Sequence, residues 1–140
     1  MRRIYHRFPN IIDLEFEIDR PFREVLARLR ELHNCHTTER QGSDLVKRSV
    51  VVQVATGKTG FEPLDQVPPF ENLASEAVDY RLSVQDTYLK PGGRVPASQS
   101  NFFLRVTDRG SVSECAVAKD GRGGPVDAMD LKKLLAGACA

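Results

Sequence analysis

His33, Cys35 and His36 stand close together in the chain and have the chemistry to hold a metal, since imidazole nitrogen and thiolate sulfur both suit zinc. A closed site needs further ligands. His6, Cys115, Cys139 or a carboxylate would have to be recruited, and none stands at a recognisable ligand spacing. A plainer reading is a helix C-terminus, whose dipole favours positive charge on His33 or His36. The third possibility, a Cys35 nucleophile with His36 as base, fails on geometry, because adjacent helical residues point about 100° apart. Neither GxSxG nor HExxH occurs, so the sequence predicts no catalytic residue, no cofactor and no metal.

The fragment ATGKTG suggests a phosphate loop, but such a loop needs a glycine five residues before Gly57-Lys58-Thr59, and Val52 occupies that position. Gly57 and Gly60 fit a turn instead. Cys35, Cys115 and Cys139 allow three single pairings. Cys35 at the end of the first predicted helix and Cys139 at the end of the last make that pair the favoured disulfide in an oxidising compartment. Three reduced thiols packed as small apolar groups are the alternative.

Two polar residues break apolar patterns. Arg48 interrupts the inward face Val46, Val50, Val52, Val54, and Tyr80 sits on the inward face of a neighbouring strand. A buried charge is costly unless paired, so Arg48 must meet a carboxylate or line a cavity, unless a bulge turns it outward. With Tyr80, Phe102 and Met129 it could line a cavity between the sheet and the last helix. A flap over residues 61–73, carrying Phe61 and Phe70, would cover it.

These residues need elements to position them. In IIDLEFEID, Ile12, Leu14, Phe16 and Ile18 share one face and acids the other, which predicts a half-buried strand. Pro21 then opens a helix over 21–34, with Phe22, Val25, Leu26, Leu29 and Leu32 on one stripe. DLVKRSVVVQVA and VDYRLSVQD are the next strands. SNFFLRV and SVSECAVA form a hairpin around Thr107–Gly110, and a final helix starts at Pro125 with Ala128, Leu131, Leu135 and Ala138 on one face. Residues 55–76 form a connector too long to be structureless, which suggests either a packed crossover or a functional lid. The predicted class is α+β: a mainly antiparallel five-stranded sheet with two helices on one face, in the order β-α-β-β-β-β-α. Residues 1–10 are expected to be a flexible segment before a single domain over 11–140.

Twenty Lys and Arg against 19 Asp and Glu leave a net charge of +1, which gives no overall field for nucleic acid or an anionic membrane. The basic start MRRIYHR fits a solvated tail. No stretch is long and apolar enough for a membrane span, and the start lacks an apolar signal region, so a soluble chain is expected. It would be cytoplasmic unless a leader has been removed.

The order of elements, with Cys35 closing the first helix and Gly137-Ala138-Cys139 closing the last, resembles small proteobacterial envelope lipoproteins of helix-grip type. It is also similar in outline to the repeated domains of the BamC accessory lipoprotein. The sequence departs from that pattern in having no leader with a lipidated cysteine and no Trp before the final Gly. The resemblance implies paired terminal cysteines and a periplasmic or envelope location. The function expected is a non-enzymatic interaction or scaffold module that binds another protein through its long loops or a sheet edge. The alternative is a helix-grip carrier with a small molecule between sheet and C-terminal helix.

Overall fold

The computed structural model describes residues 9, 11–33, 35–41, 44–55, 60–63, 77–89, 97–121 and 126–136. In chain order these form β1 (Leu14–Ile18), α1 (Phe22–Leu32), β2 (Cys35–Gln41), β3 (Asp44–Ala55), β4 (Phe61–Pro63), β5 (Ala77–Leu89), β6 (Ala97–Asp108), β7 (Ser113–Asp120) and α2 (Ala128–Ala136). The strands make one sheet in the order β1-β7-β6-β5-β3-β2, with β4 also on β3, and every pair is antiparallel. The class is α+β, as the patterning predicts.

The described residues contain seven strands, not five. Both additions lie at the free edge of β3, where the backbone ladder rather than a buried face holds a strand. β2, CHTTERQ, pairs with β3 from Cys35↔Val50 to Gln41↔Asp44, and His36, Thr38, Glu39 and Arg40 are exposed. It shows no apolar alternation because it has little to bury. β4 pairs Phe61–Pro63 with Ala55–Gln53 and ends on Pro63, which suits an edge that demands no donor there. It occupies part of the expected flap. The rest of that flap, 64–73 with Phe70, lies outside the described residues.

Pro21 caps α1 at φ −67°, and Val25, Leu26, Leu29 and Leu32 turn its apolar stripe onto the sheet. The helix stops earlier than the predicted 21–34, because His33 takes extended geometry (φ −63°, ψ 125°) while its N–H still donates to Leu29. Cys35 therefore opens β2 and does not close the helix. α2 begins with a reciprocal cap: Asp127 N–H donates to the Asp130 carboxylate at 3.0 Å, and Asp130 N–H donates to that of Asp127 at 2.9 Å. Arg28 of α1 donates from Nη2 to the Leu134 carbonyl at 2.8 Å, which ties the two helices together. At the β6-β7 turn Gly110 takes φ 87°, and its N–H donates to Asp108 at 2.9 Å.

The core lies between the helices and one sheet face, here called the inner face. Leu29, Leu32 and Leu131 meet Val52, Val54, Tyr80, Leu82, Phe102 and Leu104 there, all fully or almost fully buried. Burial of each Leu is worth roughly 1.5–3 kcal/mol relative to exposure. The outer face is held by side-chain pairs. Arg105 binds Asp79 through two hydrogen bonds of 2.6 and 2.9 Å, and Arg81 reaches Asp120 at 2.8 Å.

Candidate ligand site on the inner face

Strand periodicity carries Val46, Arg48 and Val50 to the inner face of β3, and Leu82, Val84 and Asp86 to the inner face of β5. The register sets Arg48 directly opposite Asp86. Arg48 Nε donates to Asp86 Oδ1 at 2.8 Å and Nη2 donates to Oδ2 at 3.0 Å, a two-point clamp on a carboxylate only 2% exposed. Hydrogen bonding to Asp86 holds the guanidinium pKa above its ordinary value against the opposing effect of burial, and the charges of Asp86, Asp130 and Glu39 act in the same direction. Arg48 retains about a third of its side-chain exposure, at 29%. Its Nη1 has no hydrogen-bond partner among the described residues.

The next strand continues this polar end of the inner face. Ser98 of β6 lies opposite Asp86, and its buried hydroxyl has no hydrogen-bond partner among the described residues. Two residues on, the buried Ser100 hydroxyl accepts from Val126 N–H at 3.2 Å, fixing the lead into α2 above the sheet. One end of the inner face is thus apolar and filled. The other presents a neutralised Arg–Asp pair with a spare N–H group, beside a buried and unused hydroxyl, near the first turn of α2. That combination can donate hydrogen bonds to one uncharged acceptor.

The predicted site residues divide. Arg48, Tyr80 and Phe102 share the inner face, but Tyr80 and Phe102 are fully buried core residues. Desolvation pushes the Tyr80 phenol pKa well above its usual range. Met129 is 49% exposed on α2. Phe61 lies on the outer face, its ring centroid 6.2 Å from that of Phe103, over which the Arg81 guanidinium sits at 5.3 Å. It does not converge with Arg48. Asp86, Ser98 and Asp130 were not singled out from sequence, although Asp86 continues the Val78, Tyr80, Leu82, Val84 face by one step. A carboxylate at that parity was the available signal for the partner Arg48 needs.

The histidine cluster is dispersed. His33 Nδ1 accepts from the backbone N–H of Val52 at 2.9 Å, so its lone pair serves β3 in the gap between β2 and β4. His36 is exposed on β2. No group of three or more His, Cys, Asp or Glu among the described residues is arranged to hold a metal ion. The Cys35 side chain and Cys139 lie outside the described residues, and so does their pairing. Among the described residues there is no disulfide; Cys115 is a free, buried thiol whose pKa desolvation pushes up to about 12. No described helix is long and apolar enough to cross a membrane.

No family model, no curated protein and no solved structure matches the chain.

Proposed function

We propose that the chain is a non-enzymatic binding domain of helix-grip type that takes a small, largely apolar molecule by one uncharged acceptor such as a ketone, amide or lactone carbonyl. The observation that carries this reading is the polar end of the inner face: Arg48 clamped to buried Asp86, beside the Ser98 hydroxyl, with Arg48 Nη1 and that hydroxyl both without a partner among the described residues. An anion is disfavoured because Asp86 already neutralises Arg48 and Asp130 lies close enough to add its field. The helix-grip assignment draws support from the strand order, in which first and last strands are neighbours and both helices cover one face. A ligand that binds only the native state raises the melting temperature with concentration. A panel of aliphatic ketones, amides and lactones should contain compounds that do so in the native chain and fail to in Arg48→Met. No stabilising compound, or equal stabilisation of the variant, would overturn the reading.

A scaffold role in the bacterial envelope is the second reading, and the edge of β1 that no described residue pairs with is the observation that favours it. The envelope location itself rests on a Cys35–Cys139 disulfide. Non-reducing mass spectrometry of protein from an oxidising compartment tests it, and two free thiols would remove it.

A further inference from the structure

β1 pairs only with β7 among the described residues, and none of them occupies its other backbone edge. A groove runs along each side of it. The one on the helix side encloses about 720 Å³, and Phe16, Ile18, Val25 and Leu135 supply its apolar walls. The one on the outer side, about 470 Å³, lies over β1, β7 and β6 and is bordered by Glu15, Glu17, Arg105, Thr107 and Glu114. Side chains of a strand alternate between faces, so a strand added to this edge would set its residues alternately against the helix-side groove and beside Glu15 and Glu17 on the outer face.

The charges state what kind of strand fits. Among the described residues Glu15 and Glu17 have no ion-pair partner, whereas the nearby cations are engaged. Arg105 is clamped on Asp79 by two hydrogen bonds, while Arg109 pairs with Glu114, Arg20 with Glu24 and Arg28 with Glu31. Lys132 lies over the Phe16 ring at 5.5 Å. The outer side of the edge is therefore acidic, and the helix side has an apolar floor of Phe16, Ile18, Val25 and Leu135 within a charged rim of both signs. A second copy of the chain does not suit it. Every antiparallel β1-β1 register that keeps the two faces matched and pairs most of the strand sets Glu15 or Glu17 against an acid, either a glutamate or Asp13 or Asp19, and like charges directly opposite are destabilising.

We propose that the free edge of β1 docks an extended segment of a partner protein in which apolar residues alternate with Lys or Arg. The apolar residues enter the groove between β1 and the two helices, and the cations meet Glu15 and Glu17. This site is independent of the ligand reading, since it shares no residue with the polar end of the inner face.

The probe is an end-capped nine-residue peptide alternating Val and Lys, titrated into the full chain and followed by amide shifts and hydrogen exchange. Saturable binding with slowed exchange in β1 is expected, weakening about fivefold in Glu15→Gln/Glu17→Gln if each exposed pair is worth roughly 0.5 kcal/mol. A Val/Glu peptide should not bind, and N-methylation of alternate peptide amides should abolish binding. Equal binding of the Val/Glu peptide, shifts confined to another surface, or no saturation would overturn the proposal. So would peptide binding only after removal of residues 1–10, or a dimer that dissociates in Glu15→Lys, since each assigns the edge to a different occupant.

Discussion

Arg48 and Asp86 face each other across β3 and β5, joined by hydrogen bonds of 2.8 and 3.0 Å on the side of the sheet that also carries the core. The pair is asymmetric. Asp86 is buried, while Arg48 keeps part of its surface in solvent. Removing the arginine leaves a buried carboxylate without its cation, whereas removing the acid leaves a cation that can still reach water.

Arg48→Met is therefore expected to cost roughly 3 kcal/mol, towards the low end of broken buried pairs, and more than Asp86→Asn. The double replacement Arg48→Met/Asp86→Leu should cost less than the sum of the singles, as coupled neighbours do. Urea unfolding of the four proteins measures all three quantities.

His33 serves the backbone. With His33→Ala, the Val52 N–H loses its acceptor at 2.9 Å, and a stability loss of about 1–3 kcal/mol is expected, with faster exchange of that amide. His36→Ala, on the exposed edge strand, should change stability by less than about 0.5 kcal/mol. Equal effects of the two substitutions would contradict the assignment.

Cys115 sets an alkaline limit. Its folded pKa, pushed up to about 12 by burial, lies above that of an unfolded thiol, so the native state keeps a proton that the unfolded state releases. Its contribution is fully present below roughly pH 8.5, the unfolded thiol value, and is lost as pH rises towards the folded one. Cys115→Ala should flatten stability against pH between roughly pH 8.5 and 10, leaving the fall from Tyr80 above roughly pH 10. Ellman's reagent should modify Cys115 only as fast as the chain opens.

Leu29, at 0% exposure beneath α1, reports on the core itself. Leu29→Ala should cost about 3–5 kcal/mol through lost transfer energy and the cavity left behind. Val51→Thr, at a position 41% exposed on the outer face, should be close to neutral.

Much of this was legible because burial writes itself into periodicity. β1, β3, β5, the β6-β7 hairpin and the stripe Val25, Leu26, Leu29, Leu32 each bury one face, and each appears in the sequence as alternation or helical spacing. β2 and β4 bury little, and pairing through backbone groups leaves no side-chain signature. Arg48 was visible as an interruption. Its partner was not, because the inner face of β5 was followed only to Val84, one step short of Asp86. Phe61 fell on the unexpected side for a different reason: spacing within a segment does not tell which face of the sheet it returns to.

The central claim is that the polar end of the inner face binds an uncharged acceptor. With the most stabilising carbonyl compound at saturation, the amides of Asp86, Ser98 and Arg48 should shift together along one saturable curve. The same compound should leave Arg48→Met unmoved, and Ser98→Ala should bind it several-fold more weakly. Shifts centred on the β1 grooves or on Phe61 and Phe103, with Asp86 and Ser98 unchanged, would contradict the account.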